Sequence, residues 1–450
     1  MNGMRKIFSC DKKFSYMPES KLIPVTKLDS PAGRAQLNKI ESDRARRNRA
    51  VEKVVEKVIA DIAKKGDAAL FAYTKKFDGY RVSARTVRVS QAHIAAQAKK
   101  VSPELKTTIR EAAKRIKAYH CRQMPKPFSM KSPEGMLSQR IVPLQRVGVY
   151  VPGGYTAYPS SVLMNVIPAQ IAGVKEIALV TPSPNALNPH IAFAVSLLGI
   201  NEVYRVGGSQ AVAALSLGTK SIRQVDKIVG PGNAFVAAAK RRAYGTVDID
   251  SIAGPSEVAI VADSSARPQW IALDMLAQAE HGSGDEVAVC ITESEKLARR
   301  ISDALLKEIN ASPVRAVLKR LRQNALSIFV TKSRAQSINL VNRIAPEHLQ
   351  IMTRSAKKDV KMVANSGAIF LGNCTPVALG DYYIGTNHVL PTGASARFAS
   401  GLNTADFVKR ISVAEIKETG LKKCAAHVSR FARAENFIHH ALSVEKRAGI

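Results

Sequence analysis

The chain has 450 residues, 46% hydrophobic and 6% aromatic, enough for two or three domains with sizeable cores and too apolar for a disordered polymer. No run approaches the roughly 20 apolar residues of a membrane span, and the five cysteines are scattered without a CxxC, which excludes a disulfide framework or a thiolate metal cluster. The net charge of +31 raises nucleic acid as a partner, but the basic residues are dispersed, with no basic tail and no finger spacing, so an evenly basic surface is the better reading.

The opening MNGMRKIFSC lacks the apolar core of a secretory signal, and a cytosolic location is expected. The first predicted helix spans about 41–65, opening at Ser42 as a cap, carrying Arg44, Arg46, Arg47 and Arg49, and stopping at Gly66. A second covers about 102–124. From about residue 147 strands and helices alternate. EIALVTP, EVYRV and DKIVG are strand runs separated by the helices NPHIAFAVSLLG and SQAVAALSLG and followed by the helix NAFVAAAKRRAYG. A second series runs EVAIVAD, EVAVCIT, SIFVTK and GAIFLGN, again with helices between. Short apolar runs alternating with amphipathic helices imply βαβ units and parallel sheets. The fold class predicted is α/β: two tandem Rossmann-like doubly wound domains with helical N- and C-terminal segments. Beyond residue 404 the pattern reads as helical only. A polar, amphipathic tail with little core of its own packs on something else, often a partner subunit.

Parallel sheets bind ligands at the carboxyl ends of their strands, so the segments just after strands are the places to search. VGVYVPGG and VGPGNAF are glycine-rich strand exits, and in the second Asn233 opens a helix whose N–H groups suit phosphate. Neither is GxGxxG, and a tight turn explains each equally well. Ser256 in AGPSEV stands directly before a strand, where turn chemistry is the plain alternative. In LAQAEHGSGDE, Gln278 and His281 lie three apart at the end of a helix, so they share a face as metal ligands or as ordinary polar residues. APEHLQI sets Glu347 beside His348, an acid/base pair from an irregular segment or a solvated helix start. GDYYIGTNHVLPTG places Asp381 and His388 in a loop after a strand, and AENFIHHAL offers Glu435, His439 and His440 in a terminal helix.

Taken in order, VGVYVPGG, PSSVLMNVIPAQIAG, VGGSQAVAAL, DKIVGPGN, AGPSEV, QAEHG, APEHL and GDYYIGTNHVLPTGASARFASGL resemble the motif series of the histidinol dehydrogenase family. The resemblance spans nearly the whole chain. It implies oxidation of L-histidinol to L-histidine through a bound aldehyde, in two hydride transfers to NAD. It implies one zinc per subunit held by Gln278, His281, Asp381 and His440, with His440 supplied across a homodimer. Glu347 and His348 take the acid/base roles. Ser256, His388 and Glu435 line the substrate site together with Gln278, His281, His348, Asp381 and His440, and Glu435 suits the cationic amine. Tyr150, Gln210 and Asn233 match the family's NAD contacts. The domains expected are a segment 1–40, a catalytic and zinc domain from 41–146 plus 255–400, an NAD-binding domain 147–254, and a dimerisation tail 401–450. A dehydrogenase of another amino alcohol or of a sulfonated diol is the runner-up within the superfamily. The intact GDY stretch and Glu435 favour histidinol. The first residues of the chain match nothing in the family pattern.

Overall fold

The computed structural model describes residues 23–450 except 46–48, 154–156, 319–320 and 322–324. Arg46, Arg47, Gly154 and the extreme N-terminus therefore lie outside the described residues.

Two parallel sheets dominate. The larger has six strands in the order Val25–Lys27, Leu326–Val330, Val287–Thr292, Glu257–Ala262, His348–Met352, Ala368–Leu371. The smaller has five, in the order Glu202–Tyr204, Glu176–Val180, Arg146–Tyr150, Lys227–Val229, Asp248–Ile249. Every neighbouring pair in both sheets is parallel. The central strands are buried along almost their whole length, as expected of strands covered by helices on both faces.

The domain limits differ from those expected. Val25–Lys27 pairs with Leu326–Val330, and the helix Pro31–Ala45 sets Leu37 and Ile40 against Phe329, Ile344 and Leu349. Among the described residues, 23–45 are thus part of the larger sheet's body. Ser42 lies inside this helix and donates to the Lys39 carbonyl, so it caps nothing. Residues 49–120 go the other way. The helix Arg49–Lys65 packs on Gly208–Leu217 and Ala234–Ala243, Gln91–Lys99 on Pro189–Leu197, and Pro103–His120 on Pro159–Ala172. An amphipathic helix shows that it has an apolar stripe, such as Val51, Val55, Val58 and Ile62. It does not show which of two similar sheets that stripe will cover.

The tail is not helical only. Val408–Ile416 is a nine-residue strand, antiparallel to Gly135–Pro143, which also pairs with Phe128–Lys131. The last two helices, Glu418–Ala434 and Ile438–Ala448, pack chiefly on each other and are tied by Arg433 to Glu445 at 2.9 Å. Phe128, Met130, Ile411 and Val413 on this small sheet, and Phe431, Phe437 and Ile438 on the helices, are all exposed.

Candidate active site

Four strands of the larger sheet begin side by side, with Val287 opposite Glu257, and His348 opposite both Val258 and Ala368. Most of the candidate residues gather at this amino-terminal edge, not at the carboxyl ends where the sequence reading looks. The reason is in the helices that feed the strands. The helix Pro268–Ala279 ends and delivers Gln278 from its last turn, with His281 just beyond, before Gly282 turns the chain at φ +85°. The two residues therefore do not share a continuous helical face. The helix Arg334–Ile344 ends in left-handed Ala345, and Pro346 leads into Glu347 and the strand beginning at His348. Glu347 and His348 thus stand at the head of a buried strand, not at a solvated helix start. After Ala368–Leu371 the chain returns through the short helix Val377–Tyr382, which contains Asp381.

The contacts are close. Ser256 Oγ lies 3.2 Å from His281 Nδ1. The Glu257 N–H donates to Glu347 Oε2 at 2.9 Å, and the Glu257 carbonyl accepts from His348 Nδ1 at 3.2 Å. His348 Nδ1 is 3.6 Å from Glu347 Oε2, and its Nε2 is 3.7 Å from Asp381 Oδ1. His388 Nδ1 reaches the Asp381 carbonyl at 3.1 Å. The loop after Asp381 is pinned to the other sheet's helices by buried Asn387, whose Nδ2 donates to the Met164 carbonyl at 2.8 Å. Neither Asn387 nor Glu257 carries a signal in sequence, since each acts through long-range neighbours.

Burial pushes the Glu347 carboxyl up to about 7, against the pull of His348. Burial pulls His348 down, but the Glu347 and Asp381 carboxylates outweigh it and hold the imidazole up. His388 and His281 are both lowered by burial, opposed by Asp381. Asp381 therefore stands among three imidazoles, in a cluster able to exchange protons near neutral pH.

The N/O donor set at this edge suits a borderline divalent ion. The Gln278 amide is buried with its nitrogen unpartnered, leaving either orientation open to a ligand. Within the one chain, however, no three His, Cys, Asp or Glu side chains among the described residues are placed to enclose a metal. Glu435 and His440 are exposed on the tail, His440 beside the Phe437 ring, and no hydrogen bond or ion pair joins them to the cluster among the described residues.

Tyr150, Gln210 and Asn233 lie at the carboxyl ends of the five-stranded sheet. The Tyr150 hydroxyl accepts from the Gly208 N–H at 3.1 Å, and Gln210 Nε2 donates to Asp78 Oδ2 at 3.1 Å. Asp78, which also accepts from the Gly207 N–H, is pushed up to about 6 by burial and is absent from the sequence reading. Asn233 Oδ1 caps the helix Ala234–Ala243. Gly230, at φ +111°, lets this loop pass over the Tyr150 carbonyl, where an added Cβ would lie 2.1 Å away.

Residues 41–448 match the family model described as histidinol dehydrogenase. The chain is 45% identical over 401 residues to the histidinol dehydrogenase of Gluconobacter oxydans, covering 89% of this chain and 93% of that protein. It is 42% identical to that of Aquifex aeolicus, covering 88% and 92%. The crystal structure of histidinol dehydrogenase from Elizabethkingia anophelis superposes with a TM-score of 0.88 at 33% identity, covering 96% of this chain and 99% of that one.

Proposed function

The chain belongs to the histidinol dehydrogenase family of oxidoreductases, and from that premise we propose that it oxidises L-histidinol to L-histidine through the aldehyde, in two hydride transfers to two NAD molecules in turn. The observation that carries this reading is the buried Glu347–His348 pair, held by one residue's backbone beside Asp381.

The carbonyl of Glu257 can only accept, so His348 Nδ1 donates to it, and in the neutral ring, which the raised pKa favours only toward about pH 9, Nε2 is free to take a proton. In the first step the alcohol proton passes to His348 as hydride leaves the carbinol carbon for NAD. Water then adds to the aldehyde and yields its proton to Glu347, a carboxyl pushed close enough to neutral pH to accept and release protons. The hydrate loses a second hydride to a second NAD, and the carboxylate remains. Alcohol, water and two NAD thus give carboxylate, two NADH and three protons. Gln278, His281 and Asp381, with His440 from a second copy of the chain, would hold zinc. When bound, the ion would orient the substrate's imidazole and amino nitrogens. Ser256 and His388 line the substrate site, and Glu435, exposed on the tail in one chain, would join it with His440 from the second copy to meet the cationic amine. Tyr150, Gln210 and Asn233 shape the NAD site.

The test is stoichiometric. With limiting histidinol and excess NAD, NADH formed per histidinol approaches two. A ratio of one, or no turnover, overturns the reading and favours the alternative substrates, such as a sulfonated diol.

A further inference from the structure

We propose that the buried ion pair of Arg44 and Glu257 is a positioning device for the Glu347–His348 pair, an inference that rests on the roles given to those residues above. Arg44 Nε lies 2.8 Å from Glu257 Oε1, and the two side chains are 8% and 2% exposed. The same guanidinium donates through Nη1 to the Ile344 carbonyl at 2.9 Å. Ile344 is the last residue of the helix whose exit, through Ala345 and Pro346, delivers Glu347 and His348. Glu257 in turn grips both of those residues with its own N–H and carbonyl. One cation therefore fixes both supports of the catalytic pair: the turn that precedes it and the neighbouring strand that holds it.

Stability alone does not account for this arrangement. Taking two charges out of water is costly, and replacing a buried ion pair by neutral groups of similar size is often harmless to folding. Here the pair is also incompletely satisfied, since Arg44 Nε and Nη2 and Glu257 Oε2 have no hydrogen-bond partner among the described residues, the 2.8 Å contact being an ion pair without hydrogen-bond alignment. A charged pair that is imperfect as a fold element and placed directly behind two acid/base groups is better explained by what it holds. Arg44 comes from the helix Pro31–Ala45, far from every site motif in sequence.

The variants are Arg44→Met, Glu257→Gln, the double Arg44→Met/Glu257→Gln, and Arg44→Lys, each in the full chain. The double variant removes both charges and so separates positioning from the burial of a lone ion. Turnover of histidinol is expected to fall about 10- to 100-fold in the double variant with KM little changed, as for other residues that hold catalytic groups in place. Zinc content and Tm are expected to stay near wild type, and Arg44→Lys to recover part of kcat. A double variant with wild-type kcat overturns the proposal, as does one that loses kcat, metal and Tm together. A second readout needs no substrate. With isotope-labelled histidine, the Nδ1–H signal assigned to His348 by its loss in His348→Asn is expected to shift or broaden in Arg44→Met. An unchanged signal overturns the proposal. Inert wild-type enzyme would instead overturn the functional reading, while this signal still decides the role of the pair.

Discussion

His348 has the Glu257 carbonyl on one side of its ring and the Asp381 carboxylate on the other. That setting, more than the residue type, makes it the candidate base. Replacing it by Asn keeps the hydrogen bond to the carbonyl and removes the titrating nitrogen. His348→Asn is therefore expected to lower kcat by about 10²- to 10⁴-fold while zinc content stays unchanged. Loss of metal together with activity would make His348 a ligand and reverse its role. Reading APEHL as an acid beside a histidine identifies the two groups. It does not reveal that the first residue of another strand, some 90 positions away, orients both.

Among the elements, the amino-terminal end of Arg146–Tyr150 shows how a parallel strand start is held. Arg146 is 2.8 Å from Glu176, at the start of the adjacent strand, and 2.7 Å from Glu202, at the start of the next strand beyond it. The Arg146 guanidinium holds the Glu202 carboxyl down from its ordinary 4.5 to about 2. A carboxylate with a lowered folded-state pKa contributes stability that is full above its unfolded value and fades as pH falls toward the folded one. The Tm advantage of wild type over Glu202→Gln is thus expected to shrink as pH drops from about 5 to about 2.5. At neutral pH, Arg146→Met is expected to lower Tm by a few degrees, because Glu202 then keeps only the Tyr204 hydroxyl at 2.7 Å and Arg223 at 3.5 Å. A constant Tm difference across that pH range would mean that Glu202 is not depressed. Periodicity located the strands, but nothing in RVGVY tells that its arginine reaches two glutamates brought alongside by parallel register.

At the level of the molecule, the proposed zinc site needs a residue from the tail. Its strand and two helices form an arm with apolar side chains exposed, and His440 lies on it, outside the cluster at the sheet edge. The proposed supply of His440 by a second copy of the chain predicts complementation. In a dimer of His440→Ala with Asp381→Ala, one site keeps its own Asp381 and receives an intact His440. Mixing the two inactive variants under conditions of subunit exchange is expected to restore about a quarter of the wild-type sites. No recovery would place His440 within its own chain's site.

Sequence alone was enough for the α/β class and the family, because these depend on local periodicity and on a series of short motifs, while the acid/base, ligand and substrate roles rest on the family resemblance and stand as proposals. Tertiary structure decided what depends on distant partners. It placed residues 49–120 against the five-stranded sheet, because an apolar stripe has no address until a complementary surface meets it. It turned part of the tail into a strand, because an exposed alternating run becomes a strand only where Gly135–Pro143 offers its edge. And it moved most of the candidate site to the amino-terminal edge of the larger sheet, where helix exits, and not strand exits, deliver most of the reactive side chains.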